Sequence, residues 1–285
     1  MNFRVLPSQL HATAEVVVRF FKEARGLSSF KVEEQVADSI AYRPTLQTTT
    51  PEYEAIWVEV NETPFLQSLD TVVLHCVTNC LPVKLYVAFP AGLSHTQYKE
   101  NIDESRRKGL GALEVSNEKV TVIHEALLLS LTGVRLEDHK LFPARYRSIL
   151  TTAENTFRNG DPAKACSLIY DEIEALSRKI ARKIHKKGWW THLASGAPAL
   201  NWEKAPWANV METIIDRANF SAFPPKLKRP LLMRVAALTD IRNDAGHKPR
   251  RTADLIKRNQ ELRTRFENAV DVLRDFADAT RPLHI

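Results

Sequence analysis

The chain has 285 residues, 44% of them hydrophobic and 26% charged, a composition that argues against a mostly disordered protein. No apolar run approaches the roughly 20 residues that cross a bilayer, and no apolar leader follows Met1, so a soluble, cytoplasmic protein with no membrane partner is expected. The net charge of +6 is unevenly spread: residues 1–140 hold 14 Lys/Arg and 18 Asp/Glu, residues 141–285 hold 26 and 16. Phosphate neutralisation by cations drives nucleic-acid binding, so contact with RNA or DNA is expected mainly in the second half. Cys76, Cys80 and Cys166 give no disulfide framework. Without a second ligand pair, Cys76 and Cys80 make a poor zinc site and read as reduced, buried thiols.

In chain order, residues 9–25 predict a helix with Val16, Val17, Phe20 and Phe21 along one stripe. Strand-like runs follow over 32–44 and 53–60, the second alternating Ile56, Val58 and Val60. Thr63 and Pro64 are expected to open a helix that continues to about Asn79, since Pro suits a first helical turn. A short buried strand over 83–89, a polar helix over 95–108 and two strands over 110–116 and 119–126 complete this half.

From about residue 141 the pattern is helical. The first segment stops at Asn159-Gly160, and Asp161-Pro162 restarts the chain as N-cap and first helical position. The next helix carries Ile169, Ile173, Leu176, Ile180 and Ile184 as a continuous apolar face, and its end bears Lys179, Arg182, Lys183, Lys186 and Lys187. Part of that basic run suits the negative end of a helix dipole. Residues 188–207, with Trp189, Trp190, Trp202 and Trp207, read as a connection pinned by aromatics, core packing being favoured over stacking on RNA bases. Helices over about 208–218, 225–245 and 252–280 follow. The penultimate one turns Leu231, Val235, Leu238 and Ile241 inward, and the last carries Leu262, Phe266, Ala269, Leu273 and Phe276. Four or five packed helices are the natural architecture.

The end of the penultimate helix reads ALTDIRNDAGHKPR, with Arg242 followed by Asn243 and, five residues after the Arg, His247. Arg-polar-x3-His between an apolar helical stripe and a long final helix resembles the signature of HEPN domains, over roughly residues 141–280. The resemblance implies a metal-free ribonuclease with Arg242, Asn243 and His247 as catalytic cluster, working as a homodimer in which two motifs form one cleft. It also implies 2′,3′-cyclic phosphate ends. The chemistry suits the residue types. His247 is fit for proton transfer near neutral pH, Arg242 for gripping phosphate oxygens, and Asn243 for positioning. RNA contacts are expected from Lys179, Arg182, Lys183, Lys186, Lys248, Arg250 and Arg251. A structural alternative stands beside this one: Arg242 and His247 as the polar end of a helix with Gly246 as its C′ residue.

The order helix, strands, helix, strand, helix, strands over residues 9–127 resembles the restriction-endonuclease-like, or PD-(D/E)xK, fold. That resemblance implies a divalent metal, with Mg the candidate, held by Asp38 and Glu59. Asn61 stands where the family has Lys, and Lys84 is a candidate replacement. Both acids also read as ordinary polar positions beside strands.

The expected fold is thus an α+β N-terminal domain over residues 1–135, restriction-endonuclease-like with a mixed sheet and helices, then an all-α HEPN-like bundle over 141–285. The expected function is a metal-independent endoribonuclease, a toxin or antiviral defence effector whose N-terminal domain senses a trigger, with no cofactor at the HEPN site. RNA and a neutralising or sensing protein are the expected partners. The alternatives are a catalytically silent nucleic-acid-binding or scaffold protein, and a metal-dependent DNA nuclease through Asp38 and Glu59.

Overall fold

The computed structural model describes residues 1–36, 40–64, 68–92, 95–135, 138–190, 201–241 and 249–284. A mixed six-stranded sheet with helices occupies the N-terminal half, and the C-terminal half is mostly helical. The chain divides into two compact units. The first comprises Met1–Gly133, Arg158–Gly160 and Lys248–Glu261; the second comprises Val134–Phe157, Asp161–His247 and Leu262–Ile285. No helix among the described residues is long and apolar enough to cross a membrane.

In the first unit, helix α1 (His11–Arg25) precedes strands β1 (Lys31–Val32), β2 (Leu46–Thr49) and β3 (Ala55–Val60). Helix α2 (Leu69–Thr78) leads to β4 (Val83–Pro90), and α3 (His95–Arg107) to β5 (Gly111–Ser116), β6 (Lys119–His124) and the short α4 (Leu129–Thr132). The strands lie in sequence order. β3, β4 and β5 are mutually parallel across their helical crossovers, and the flanking pairs are antiparallel. Alternation sorts the two faces. Ile56, Val58, Val60, Tyr86, Ala88, Leu113 and Val115 pack with Val17, Val18 and Phe21 of α1. Trp57, Leu85 and Val87 pack with Leu69, Val72 and Cys76 of α2 and with Leu129 of α4. β4 is covered on both faces, which explains its apolar run from Leu85 to Phe89. Gly111 is required where it stands: a Cβ there would collide with the Tyr86 ring and lie 2.8 Å from the Ala126 amide nitrogen.

Two predicted elements of this unit differ. Among the described residues of the strand expected over 32–44, only Val32 belongs to a strand, β1, because Glu33 turns away at φ +50°. Its carboxylate accepts hydrogen bonds from the Arg4, Val5 and Leu6 amides at 2.6, 2.9 and 2.7 Å, so it anchors the N-terminal segment instead of extending the ladder. The helix expected to open at Thr63-Pro64 begins at Leu69. Asn61 donates its side-chain amide to the Thr63 hydroxyl at 3.2 Å, a local bond that competes with helical geometry at this bend.

The mostly helical part contains α5 (Ala144–Arg158), α6 (Pro162–Lys187), α7 (Trp207–Arg217), α8 (Arg229–Ile241) and α9 (Thr252–Thr280). The Asp161 side chain accepts from the Lys164 amide at 3.1 Å as N-cap, Pro162 sits in the first turn, and Gly188 ends α6 in the left-handed region at φ +64°. Ile169, Ile173, Leu176, Ile180 and Ile184 are all buried, as are Phe266, Ala269, Leu273 and Phe276 of α9. The Phe157 and Phe266 rings meet at 4.9 Å. α8 starts four residues later than expected, after a turn in which the Leu227 amide donates to the Pro224 carbonyl, and Leu232 takes the buried position assigned to Leu231.

Candidate functional site

The basic run of the sequence lies on the last turns of α6. Arg182, Lys183 and Lys186 follow Lys179 at three, four and seven residues, which places all four along one helix face beside the buried isoleucine stripe. Lys179, Arg182 and Lys186 are exposed and Lys183 is half-buried. Among the described residues Arg182 has an acidic neighbour, Glu203 at 3.6 Å, and no ion pair involves Lys179, Lys183, Lys186 or Lys187. Gly188 lets the chain turn sharply away, leaving the stripe at the end of the helix. Arg178, one residue before the stripe, is used differently. Its Nε donates to Glu174 at 3.0 Å and its guanidinium also binds the Trp202 carbonyl, fastening the segment before α7 to α6.

That segment decides the role of the tryptophans. Trp190, Trp202 and Trp207 are buried, and the Trp190 and Trp202 rings stack at 6.0 Å with 9° between their planes. Trp207 donates its indole N–H to the Ser177 hydroxyl at 3.2 Å, and half-buried Trp189 packs on Phe223 at 5.8 Å. The indoles spend their faces on one another and on core residues, as the packing alternative expected, and offer no platform for bases.

The cluster read as catalytic, Arg242, Asn243 and His247, lies outside the described residues together with Lys248. The described chain reaches Ile241, the last residue of α8, and resumes at Pro249 before α9. Arg250 and Arg251 are exposed. Both serve the start of α9: the Asp254 carboxylate accepts from the Arg250 amide at 3.3 Å and from the Arg251 Nε at 3.1 Å, and that guanidinium holds the carboxyl below its ordinary range. The α6 cations belong to the second unit, and Arg250 and Arg251 to the first.

Of the candidate metal ligands, Asp38 lies outside the described residues. Glu59 sits on β3, where burial pushes its carboxyl up to about 7, against the hydrogen bond it accepts from the Tyr42 hydroxyl at 3.0 Å. Lys84 does not supply the missing cation. In the parallel β3–β4 register it stands beside Ile56, so alternation puts it on the α1 face of the sheet while Glu59 takes the α2 face with Trp57. Lys84 instead pairs with Glu54 at 2.6 Å. Asn61 spends its amide on Thr63. Among the described residues no group of three His, Cys, Asp or Glu is arranged to hold a metal.

Two arrangements escape a reading of the sequence. On the α1 face a cavity of about 730 Å³ is lined by Arg25, Glu54, Lys84, Tyr86 and Glu125. Glu125 accepts from the Tyr86 hydroxyl at 2.6 Å and pairs with Arg25; burial alone would raise its carboxyl, and these two partners hold it low. In the helical unit the carboxylate of Glu154, buried in α5, meets His139 Nε2 at 2.8 Å, and Thr151 Oγ1 approaches the other ring nitrogen at 3.2 Å. Both clusters join residues distant in sequence and match no local motif.

Comparisons with protein-family models, curated proteins and solved structures give no match for this chain.

Proposed function

We propose that the chain is a cytoplasmic, metal-independent endoribonuclease of the HEPN type, acting as a homodimer and employing Arg242, Asn243 and His247. The observation that carries the reading is positional. The Arg-Asn-x3-His sequence follows immediately on the last residue of α8 and precedes the 29-residue α9, within a mostly helical half of the chain. The exposed cations of α6 add the phosphate-binding surface such an enzyme needs.

In this reaction the ribose 2′-hydroxyl attacks the adjacent phosphorus while the 5′-oxygen leaves. His247 moves a proton, Arg242 neutralises the crowded phosphoryl oxygens through two hydrogen bonds, and Asn243 orients the phosphate or the imidazole. The products are a 2′,3′-cyclic phosphate and a 5′-hydroxyl. The sheet unit takes a sensing or restraining role in this proposal, with a trigger or a neutralising protein as its partner. A metal-dependent nuclease at Glu59 is not favoured, since Lys84 stands on the other face of the sheet and pairs with Glu54.

The test is incubation of wild type and His247→Ala with total RNA in EDTA, followed by analysis of fragment ends. Cyclic phosphate ends from wild type alone are expected. Salt-sensitive binding with no product from either protein would overturn the enzyme in favour of a silent RNA-binding protein, and equal cleavage by both would refute the site.

A further inference from the structure

The cations of α6 fall into two rows. A helix turns about 100° and rises about 1.5 Å per residue, so residues four apart lie nearly above one another at about 6 Å. Lys179, Lys183 and Lys187 form one such row. Arg182 and Lys186 form a second, about 60° round the helix from the first. Lys183 is half-buried and the others are exposed. Glu203 approaches Arg182 at 3.6 Å; among the described residues the four lysines have no ion pair. Arg178, which would extend the second row by a turn, is engaged instead with Glu174 and the Trp202 carbonyl. Glu172, in phase with Lys179 seven residues before it, ends the cationic track with a negative charge.

Helix stability explains only part of this pattern. The dipole acts within the last turn, which here holds His185, Lys186 and Lys187. Lys179, Arg182 and Lys183 lie before it. Each row sets like charges four residues apart, which destabilises a helix until an anion relieves the repulsion.

The spacing favours one kind of polyanion. From Lys179 to Lys187 the helix rises about 12 Å. One nucleic-acid strand contributes a phosphate per about 3.4 Å of axis, about three or four over that length, and a duplex contributes about seven. Five cations exceed the first number and fall within the second. A single strand is moreover gripped by bases stacked on open aromatic rings. The tryptophans that follow the ridge are otherwise engaged: Trp190 stacks on Trp202, and Trp189 packs on Phe223. Two rows on one helix suit two lines of phosphate close together. A-form RNA presents them across its deep, narrow major groove, whereas the B-form major groove is about 12 Å wide.

We infer that the α6 ridge binds double-stranded RNA, its two rows meeting the two backbones that face each other across the major groove. The inference rests on the ribonuclease reading for RNA as partner, and it names the form of that RNA: a base-paired segment held through its phosphates, without regard to sequence.

The experiment measures Kd by fluorescence anisotropy in EDTA, using the full chain with His247→Ala so that the probe is not consumed. The probes are an RNA duplex of about 20 base pairs, one of its strands, and the DNA duplex of the same sequence. The RNA duplex should bind at least about tenfold tighter than either other probe. Removing one row, by Arg182→Gln/Lys186→Gln or by Lys179→Gln/Lys183→Gln/Lys187→Gln, should weaken duplex binding about tenfold and strand binding less than about threefold. The first variant alters exposed positions alone and should melt with the parent protein. A strand or a DNA duplex bound as tightly as the RNA duplex overturns the proposal, as does duplex binding that neither variant changes. Cyclic phosphate ends from wild type would keep the ribonuclease reading intact in each of those cases. Duplex binding through the ridge without any cleavage would sink that reading and sustain this one.

Discussion

In the sheet unit, charged side chains near the interior find partners within the same unit. Glu125 is held by Tyr86 and Arg25, Lys84 by Glu54, and Glu33 by three successive amides. The helical unit distributes its charge differently. Apart from buried Glu154, held by His139, and the half-buried Glu174–Arg178 pair, its conspicuous ions stand outward, as on α6, where among the described residues Lys179 and Lys186 have no acidic partner. Fields that close on themselves decay within a few ångströms, whereas an unneutralised cationic ridge acts on anything within a Debye length, about 8 Å at physiological salt. The two regions should thus answer to different variables, the first to side-chain volume and pH, the second to ionic strength.

The sharpest separation comes from reversing charge on the ridge. Lys179→Glu/Arg182→Glu/Lys186→Glu should weaken binding of a generic single-stranded RNA on the order of a hundredfold at low salt. The slope of log affinity against log salt should fall by about 2, as expected when three phosphate contacts of roughly 0.7 counterions each disappear. Unfolding in urea should change by no more than about 0.5 kcal/mol per site, because these side chains pack against little. Filter binding across a salt series checks the first statement. Unchanged affinity would remove the distinction between the units at its root.

The converse perturbation, inside the sheet, is Gly111→Ala. The added methyl would meet the Tyr86 ring and the Ala126 amide, and backbone cannot yield as the tip of a flexible side chain can. A loss of about 1–3 kcal/mol in urea unfolding is expected, the usual cost of overpacking, with RNA affinity untouched if the native state is still populated. A neutral result would show that the strands shift freely, and that the closed networks on them impose no geometry.

How much of the fold and the site is legible in the sequence follows from the range of the interactions. Periodicity is local, so the stripe of α6, its Asp161 cap and the extent of α9 are readable from neighbouring residues, as is the alternation that makes β3. The run 32–44 misleads at Glu33, which answers to amides 27 to 29 residues earlier, a long-range bond without a local signature. The same applies to Lys84, whose assignment to one face or the other depends on the β3–β4 register. Buried Asn259 does leave a local trace, a polar residue in phase with the apolar stripe of α9; its hydrogen-bond partner Ser130, 129 residues away, leaves none. Arg242, Asn243 and His247 are legible as a motif, and their arrangement belongs to the residues outside those described.

The smallest expected effect tests whether pH belongs to the sheet unit. The Glu59 carboxyl is raised from an ordinary 4.5 to about 7, chiefly by burial, so the folded state holds its proton more tightly than the unfolded chain does. The stability this contributes is fully present below pH 4.5 and is lost as pH rises through about 7, where ionisation within the fold becomes a cost. Glu59→Gln keeps an acceptor for the Tyr42 hydroxyl and cannot ionise. It should match wild type at about pH 4.5 and exceed it at pH 8, by roughly 1–2 kcal/mol once partial solvent access is allowed for. Urea unfolding at the two pH values reads this directly. Parallel losses in both proteins would assign the pH response to another group. A variant less stable than wild type at pH 8 would mean that ionised Glu59 has a stabilising partner, reopening the α2 face of the sheet as a place where charge is used.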